Sequence, residues 1–352
     1  MKRITNEISQ SAKKSLVTRT ITAILIALFG IPCLVLGGWF FFFFSVVVAL
    51  IAAFEIVRAT NLKGLLRVLI YFITIVFTLG IIYYFFFAEL LKPTETAITG
   101  LFEKKDFLPT IFNEIKLSIM FITIMLCVYF LISFSVESFN VAYVFYFVTM
   151  ILVLAIGIQS FLFLRFSPYY YFEQSLLQDG KTVPGHILNK PEFQYGQSMF
   201  LFLYVILGVI FNDMGAYFIG MLFGKHKMNE RISPKKTWEG FIGGVVFSII
   251  VSVVFALICA LKEKPLLPVF DTSHIYHIII ISIIIPLISD VGDFVFSSIK
   301  RTFGVKDFSN LLPGHGGILD RIDSLIFASA LVSCLIMIIL SMYGYGPNAT
   351  SL

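Results

Sequence analysis

Charge is what this chain has least of. Asp, Glu, Lys and Arg supply only 13% of its 352 residues, about half the share usual in soluble globular proteins. Cysteine is scarce too. Cys33, Cys127, Cys259 and Cys334 all sit inside apolar runs with no paired spacing, so neither a disulfide framework nor a zinc site is supported. Short alternating strands are lacking, which excludes a membrane β-barrel. What fills the sequence is hydrophobic: 58% of residues, with a mean hydropathy of +0.93.

The apolar residues are gathered into long uncharged runs, and roughly 20 such residues cross a bilayer core. Nine runs are present, near 20–37, 39–57, 65–88, 117–135, 141–164, 199–223, 240–261, 275–297 and 324–343. In lipid the backbone must satisfy its own hydrogen bonds, so the runs are expected to be helices. The expected fold is all-α, a polytopic transmembrane bundle of about nine helices. Lys13, Lys14 and Arg19 precede the first run, as in a signal peptide, but no small-residue cleavage site lies before Gly37-Gly38-Trp39. A retained first helix is expected.

With the N-terminus placed inside, the inner segments hold 17 of the 26 basic residues, from Lys2 and Arg3 to Arg321. The positive-inside rule favours this orientation. It sets the loops 224–239 and 298–323 on the cytoplasmic face of a cell membrane.

The chain reads as a tail (1–19), a first membrane region with outer loops (20–198), a second membrane region carrying the chemistry (199–344) and a short tail (345–352). Residues 20–165 are bulky and aromatic, and no chemistry is assigned to them. Glu55 and Arg58, spaced i, i+3, suggest a local ion pair. The outer loops are expected at 89–116 and 165–198, the second holding Tyr169-Tyr170-Tyr171, Pro184-Gly185 and Pro191. His274 and His277 suggest polarity at the outer interface, and Asn348-Ala-Thr350 is a weak glycosylation match.

Residues 212–323 differ from the rest. A charge near the bilayer centre costs about 2.5–3.5 kcal/mol on insertion scales, yet ionised groups cluster here beside glycines and prolines. Asp290 and Asp293 form one i, i+3 pair, Asp320 and Asp323 another, and on a helix each pair shares a face. Four convergent carboxylates repel unless cations lie between them, and hard oxygen ligands suit Mg²⁺. Lys300, Arg301 and Lys306 lie between the pairs and suit phosphate oxygens. Pro313-Gly-His315-Gly316-Gly317 can turn backbone N–H groups toward an anion. Upstream, Asp213 lies inside an apolar helix. Ser233-Pro234 looks like a turn, followed by Lys235, Lys236, Thr237 and Glu239 at the start of the next helix.

These residues resemble a known pattern. Ser298-Ile-Lys-Arg301, then Lys306-Asp307, then His315-Gly-Gly-Ile-Leu-Asp320-Arg-Ile-Asp323 is similar to the signature of the phosphatidate cytidylyltransferase (CDP-diacylglycerol synthase) family. Asp213-Met-Gly-Ala-Tyr217 and Ser233-Pro-Lys-Lys-Thr-Trp-Glu-Gly240 resemble two further motifs of that family. The likeness covers about the C-terminal 40% of the chain closely; in the first half only Glu55 falls in a family-like position. It implies a nucleotidyltransferase of phospholipid biosynthesis that makes CDP-diacylglycerol and pyrophosphate from phosphatidate and CTP. Mg²⁺ is implied, with a second cation left open, as is a homodimer; no nucleic-acid partner is expected. The implied metal ligands are Asp290, Asp293, Asp320 and Asp323, with Asp213 a further candidate. Lys300, Arg301, Lys306, Asp307, His315 and Arg321 are the implied catalytic group. Ser233, Lys235, Lys236, Thr237, Glu239, Gly316 and Gly317 are the implied substrate contacts. Two alternatives stand beside this reading: a CTP-dependent polyprenol or phytol kinase, and an ion-coupled transporter. The CDP-alcohol phosphatidyltransferase motif is absent.

Overall fold

The computed structural model describes residues 10–90, 107–178, 198–262 and 264–343. Among them are nine α-helices: α1 (Gln10–Leu36), α2 (Gly38–Ala59), α3 (Gly64–Leu90), α4 (Phe107–Ser135), α5 (Val141–Gln178), α6 (Ser198–Phe223), α7 (Trp238–Leu261), α8 (Ile275–Thr302) and α9 (Leu319–Met342). Eight are long and apolar enough to cross a membrane, and α4 contributes a shorter apolar stretch, Met120–Ser135. The expected helical bundle is present, and the protein is a membrane protein. All four cysteines are free.

Cross-contacts show which helix ends lie together. Glu55, late in α2, reaches the first turn of α9. Tyr146, early in α5, donates to the Ile56 carbonyl, and Thr22, midway along α1, donates to Pro313 just before α9. Lys236, just before α7, meets Asp290 and Asp293 late in α8. These contacts define one end of the bundle. At the other end, the Arg165 Nε in α5 donates to the Leu34 carbonyl at the end of α1. There too His274 and His277, at the start of α8, pack edge-on against Tyr343 just after α9.

The helices pack closely where glycine removes side chains. On α7, a Cβ at Gly243 would stand 2.5 Å from Ile219 of α6, and one at Gly244 would stand 2.7 Å from the Asn212 carbonyl. Bilayer tails are as apolar as the helices, so such contact, together with buried hydrogen bonds, drives association. Ser248 Oγ to the Gly208 carbonyl (2.7 Å) is one of these bonds, and Thr74 Oγ1 with Tyr129 Oη (2.9 Å) is another.

Several expectations change. α9 begins at Leu319 rather than near 324, and α8 runs on to Thr302, so both Asp pairs and Lys300 are helical. The outer segment expected as a loop from 165 is helical to Gln178; Pro184-Gly185, Pro191 and Asn348-Ala-Thr350 lie outside the described residues. Ser233-Pro234 is not a turn. Lys227–Asn229 (β1) and Ser233–Thr237 (β2) form an antiparallel hairpin, whose turn is made at Asn229 instead. The Asn229 Oδ1 accepts from the amides of Arg231 and Ile232, which is the self-bonding that favours Asn in turns. The Glu55–Arg58 ion pair is also absent among the described residues, because Glu55 is drawn inward to a different partner set.

Candidate active site

The meeting of α8 and α9 sets the geometry. At Gly292 a Cβ would stand 3.0 Å from the Cβ of Phe327 and 3.1 Å from the Asp323 carbonyl. This close approach sets the 290/293 pair beside the 320/323 pair, and Asp323 falls within electrostatic reach of Asp293. Two lysines offset the repulsion. Lys236 Nζ lies 2.7 Å from Asp290 Oδ1 and 3.0 Å from Asp293 Oδ2, above the Phe294 ring. Burial alone would lower its pKa, but Asp293 and Asp290 outweigh burial and hold it above the ordinary ammonium value. The second oxygen of Asp290 accepts from Asn212 Nδ2 at 3.0 Å.

Lys300 Nζ serves the other pair, 2.8 Å from Asp320 Oδ1 and 3.8 Å from Asp323 Oδ2. Asp320 Oδ2 accepts from the amides of Phe308 and Gly317, both at 2.9 Å. Asp320 is therefore fully engaged in holding the α8–α9 loop against the head of α9. Glu55 completes this loop from the first half of the chain. Its carboxylate is wholly buried and accepts from Ser309 Oγ (2.6 Å) and from the amides of Ile318 (2.9 Å) and Leu319 (2.7 Å). Those amides belong to the start of α9, where N–H groups lack helical partners and the helix dipole favours an anion. Gly317 is required here, because a Cβ would stand 2.5 Å from Glu55 Oε1.

The other predicted residues divide into engaged and open groups. Thr237 is buried and caps α7, its Oγ1 accepting from the Gly240 amide at 3.2 Å. Glu239 accepts from the amides of Lys225 and His226 and pairs with the His226 ring, closing the base of the hairpin. Gly316 has φ +88° and bonds through its carbonyl to the Leu312 amide, so it forms the turn. Arg301 Nη1 donates to the Val305 carbonyl at 3.2 Å, and Ser233 is half-buried in β2.

Lys235, Lys306, Asp307 and Arg321 are exposed, and among the described residues none makes an ion pair. Asp213 is exposed on α6, within electrostatic reach of Asp293, Lys236, Asp290 and Arg321, and no hydrogen bond among the described residues engages its carboxylate. The His315 Nδ1 is shielded without a hydrogen-bond partner. Burial, then the charges of Arg321 and Arg19, outweigh the nearby Pro313 carbonyl, push its pKa down and favour the neutral ring.

As a metal site the carboxylates are only partly assembled. Among the described residues, no three Asp, Glu, His or Cys side chains converge closely enough to hold an ion by themselves. Asp290 and Asp320 are committed to lysine, asparagine and backbone donors. Both oxygens of Asp213, one of Asp293 and the weakly held Oδ2 of Asp323 remain open. Such an open set of hard oxygens fits an ion that keeps waters and takes further ligands from phosphates, as Mg²⁺ does.

The fold and site define a polytopic helical membrane protein with lysine-bridged carboxylates and unpaired cations gathered at one end of the bundle. The chain belongs to the Cytidylyltransferase family, whose model matches residues 17–339. Among similar proteins is a phosphatidate cytidylyltransferase of Staphylococcus haemolyticus, 44% identical over 135 residues, covering 38% of this chain and 48% of that protein. The enzymes of the same name from Bacillus subtilis (40% over 134 residues) and Haemophilus influenzae (44% over 127 residues) match 38% and 36% of this chain and 45% and 42% of their own lengths. The matched stretch thus spans somewhat under half the length of each relative.

Proposed function

We propose that this protein is a phosphatidate cytidylyltransferase, joining phosphatidate and CTP to give CDP-diacylglycerol and pyrophosphate. A phosphate oxygen of the lipid attacks the α-phosphorus of CTP, a P–O bond forms, and the bond to the β-phosphate oxygen breaks. The nucleophile is already ionised near neutral pH, so no strong general base is needed. The difficulty is bringing two anions together and supporting charge on the pyrophosphate, which is a task of positioning and electrostatics. The observation that carries the reading is the convergence of the two Asp pairs and two lysines, with Lys306, His315 and Arg321 around them in the same loop and helix start.

In this reading Asp213, Asp293 and Asp323 would hold Mg²⁺, and the ion would shield the attacked phosphorus and the leaving group. Lys236 and Lys300 keep the carboxylates in place. Lys306, Arg321 and the hairpin's Lys235 receive phosphate oxygens. The excess of basic residues at this end supports a cytoplasmic site, where CTP is available. The family likeness further implies a homodimer.

The test uses purified protein with phosphatidate, CTP and Mg²⁺, following lipid product, pyrophosphate and CDP. Asp293→Asn is expected to lower turnover by about 10²-fold or more, with a raised Mg²⁺ requirement. Full activity in Asp293→Asn and Asp213→Asn would overturn the metal assignment. Release of CDP in place of pyrophosphate would identify a lipid kinase.

A further inference from the structure

The first helix lies outside every motif of the site, yet it is fastened to it. Within its span, Val17–Leu36, only 6% of residues are buried, so little in the bundle grips α1. Apart from the Arg165 bond to the Leu34 carbonyl at its far end, the exception is the stretch 19–22. Thr22 Oγ1 donates to the Pro313 carbonyl at 2.9 Å, across 291 residues of sequence. The next loop residue, Gly314, has φ +78°, and a Cβ there would stand 2.8 Å from Arg19 Cγ. The loop thus leaves room for the Arg19 side chain to lie across it, beside His315.

Arg19 and Arg321 are both exposed, and among the described residues neither guanidinium makes a hydrogen bond or an ion pair. Both charges bear on the one imidazole of His315. Two cations beside one neutral ring favour an anion there, and Asp213, the carboxylate within electrostatic reach of Arg321, does not hydrogen-bond it. An arginine that only anchored α1 at the membrane surface would need neither the Thr22 bond nor a glycine beneath its stem. Arg19 also stands near the start of the apolar span Val17–Leu36, where a long cationic side chain can reach lipid headgroups.

We propose that Arg19 is a substrate-binding residue that, with His315 and Arg321, receives a phosphate group, and that the phosphate is that of the lipid. The planar guanidinium can take a phosphate through two parallel hydrogen bonds, which a lysine cannot match. This inference rests on the proposed reaction and adds to it a residue from the first half of the chain.

The experiment compares wild-type protein with Arg19→Gln and Arg19→Lys in mixed micelles, varying phosphatidate at saturating CTP and the reverse. Arg19→Gln is expected to raise the phosphatidate KM by about tenfold or more, with the CTP KM and the thermal midpoint unchanged and Arg19→Lys between the two. An unchanged phosphatidate KM would overturn the proposal. So would a rise confined to the CTP KM, which would give the residue to the nucleotide. Titration with a short-chain phosphatidate, without CTP, reads the same contact independently of turnover. Weaker binding by Arg19→Gln than by wild type supports the contact even if the wild-type protein makes no CDP-diacylglycerol. Equal binding sinks it.

Discussion

Glu55 bears more of the site than its surroundings suggest. A buried carboxylate is costly unless hydrogen bonds replace its lost water, and here three donors do so, two of them the amides that open α9. Its partners lie 254 to 264 residues away along the chain. No local spacing announces them, and the i, i+3 spacing to Arg58 points instead to a local pair. Glu55→Gln keeps the shape but sets an NH₂ group against one of the donors. Hydrogen bonds to a charged group are worth about 1.5–3 kcal/mol each, so a loss of about 2 kcal/mol in stability is expected, seen as a lower thermal midpoint. Turnover should fall with it, because the loop carrying Lys306 and His315 hangs from this carboxylate. Normal turnover with a lowered midpoint would show that the Glu55 contacts serve the bundle and not the site.

At the scale of elements, the helices were legible and the hairpin was not. Long apolar runs without charge have one solution in lipid, and the structure adopts it. The hairpin 227–237 is short and polar, and its signals conflict. Ser and Pro are turn residues, so Ser233-Pro234 reads as the turn. In a two-stranded ribbon, however, a proline can sit at an edge with its missing N–H turned away from the partner, and Asn229 makes the turn earlier. The Asp pairs were legible because i, i+3 spacing on a helix fixes their common face. Their lysine partners were not, since pairing of Lys236 with α8 depends on where β2 delivers it. Thr237 links strand to helix: it caps α7 one residue after Lys236. Thr237→Val should remove about 1 kcal/mol of cap stability and loosen Lys236, whereas Thr237→Ser should restore both. The measurement is the thermal midpoint together with the Mg²⁺ concentration for half-maximal activity. If Val and Ser variants behave alike, the cap does not set the position of Lys236.

For the whole molecule, the first and second halves cannot be read separately. Glu55 and Thr22, from a region that looked like lipid-facing bulk, meet the α8–α9 loop and the head of α9, where the proposed chemistry lies. All of these contacts fall at one end of the bundle, and the proposed reaction requires that end to face the compartment that holds CTP. Charge bias argues for the cytoplasm, and the two ends offer a direct check. Glu230 is exposed at the hairpin tip on the site end, and Ser273 is exposed just before α8 on the opposite end. With Cys33, Cys127, Cys259 and Cys334 replaced by Ser or Ala, Ser273→Cys should react with a membrane-impermeant maleimide in intact spheroplasts. Glu230→Cys should react only after the membrane is opened. The reverse pattern would put Lys236, His315 and the Asp pairs on the outer face, out of reach of cytoplasmic nucleotide, and the proposed reaction would fail at the level of topology.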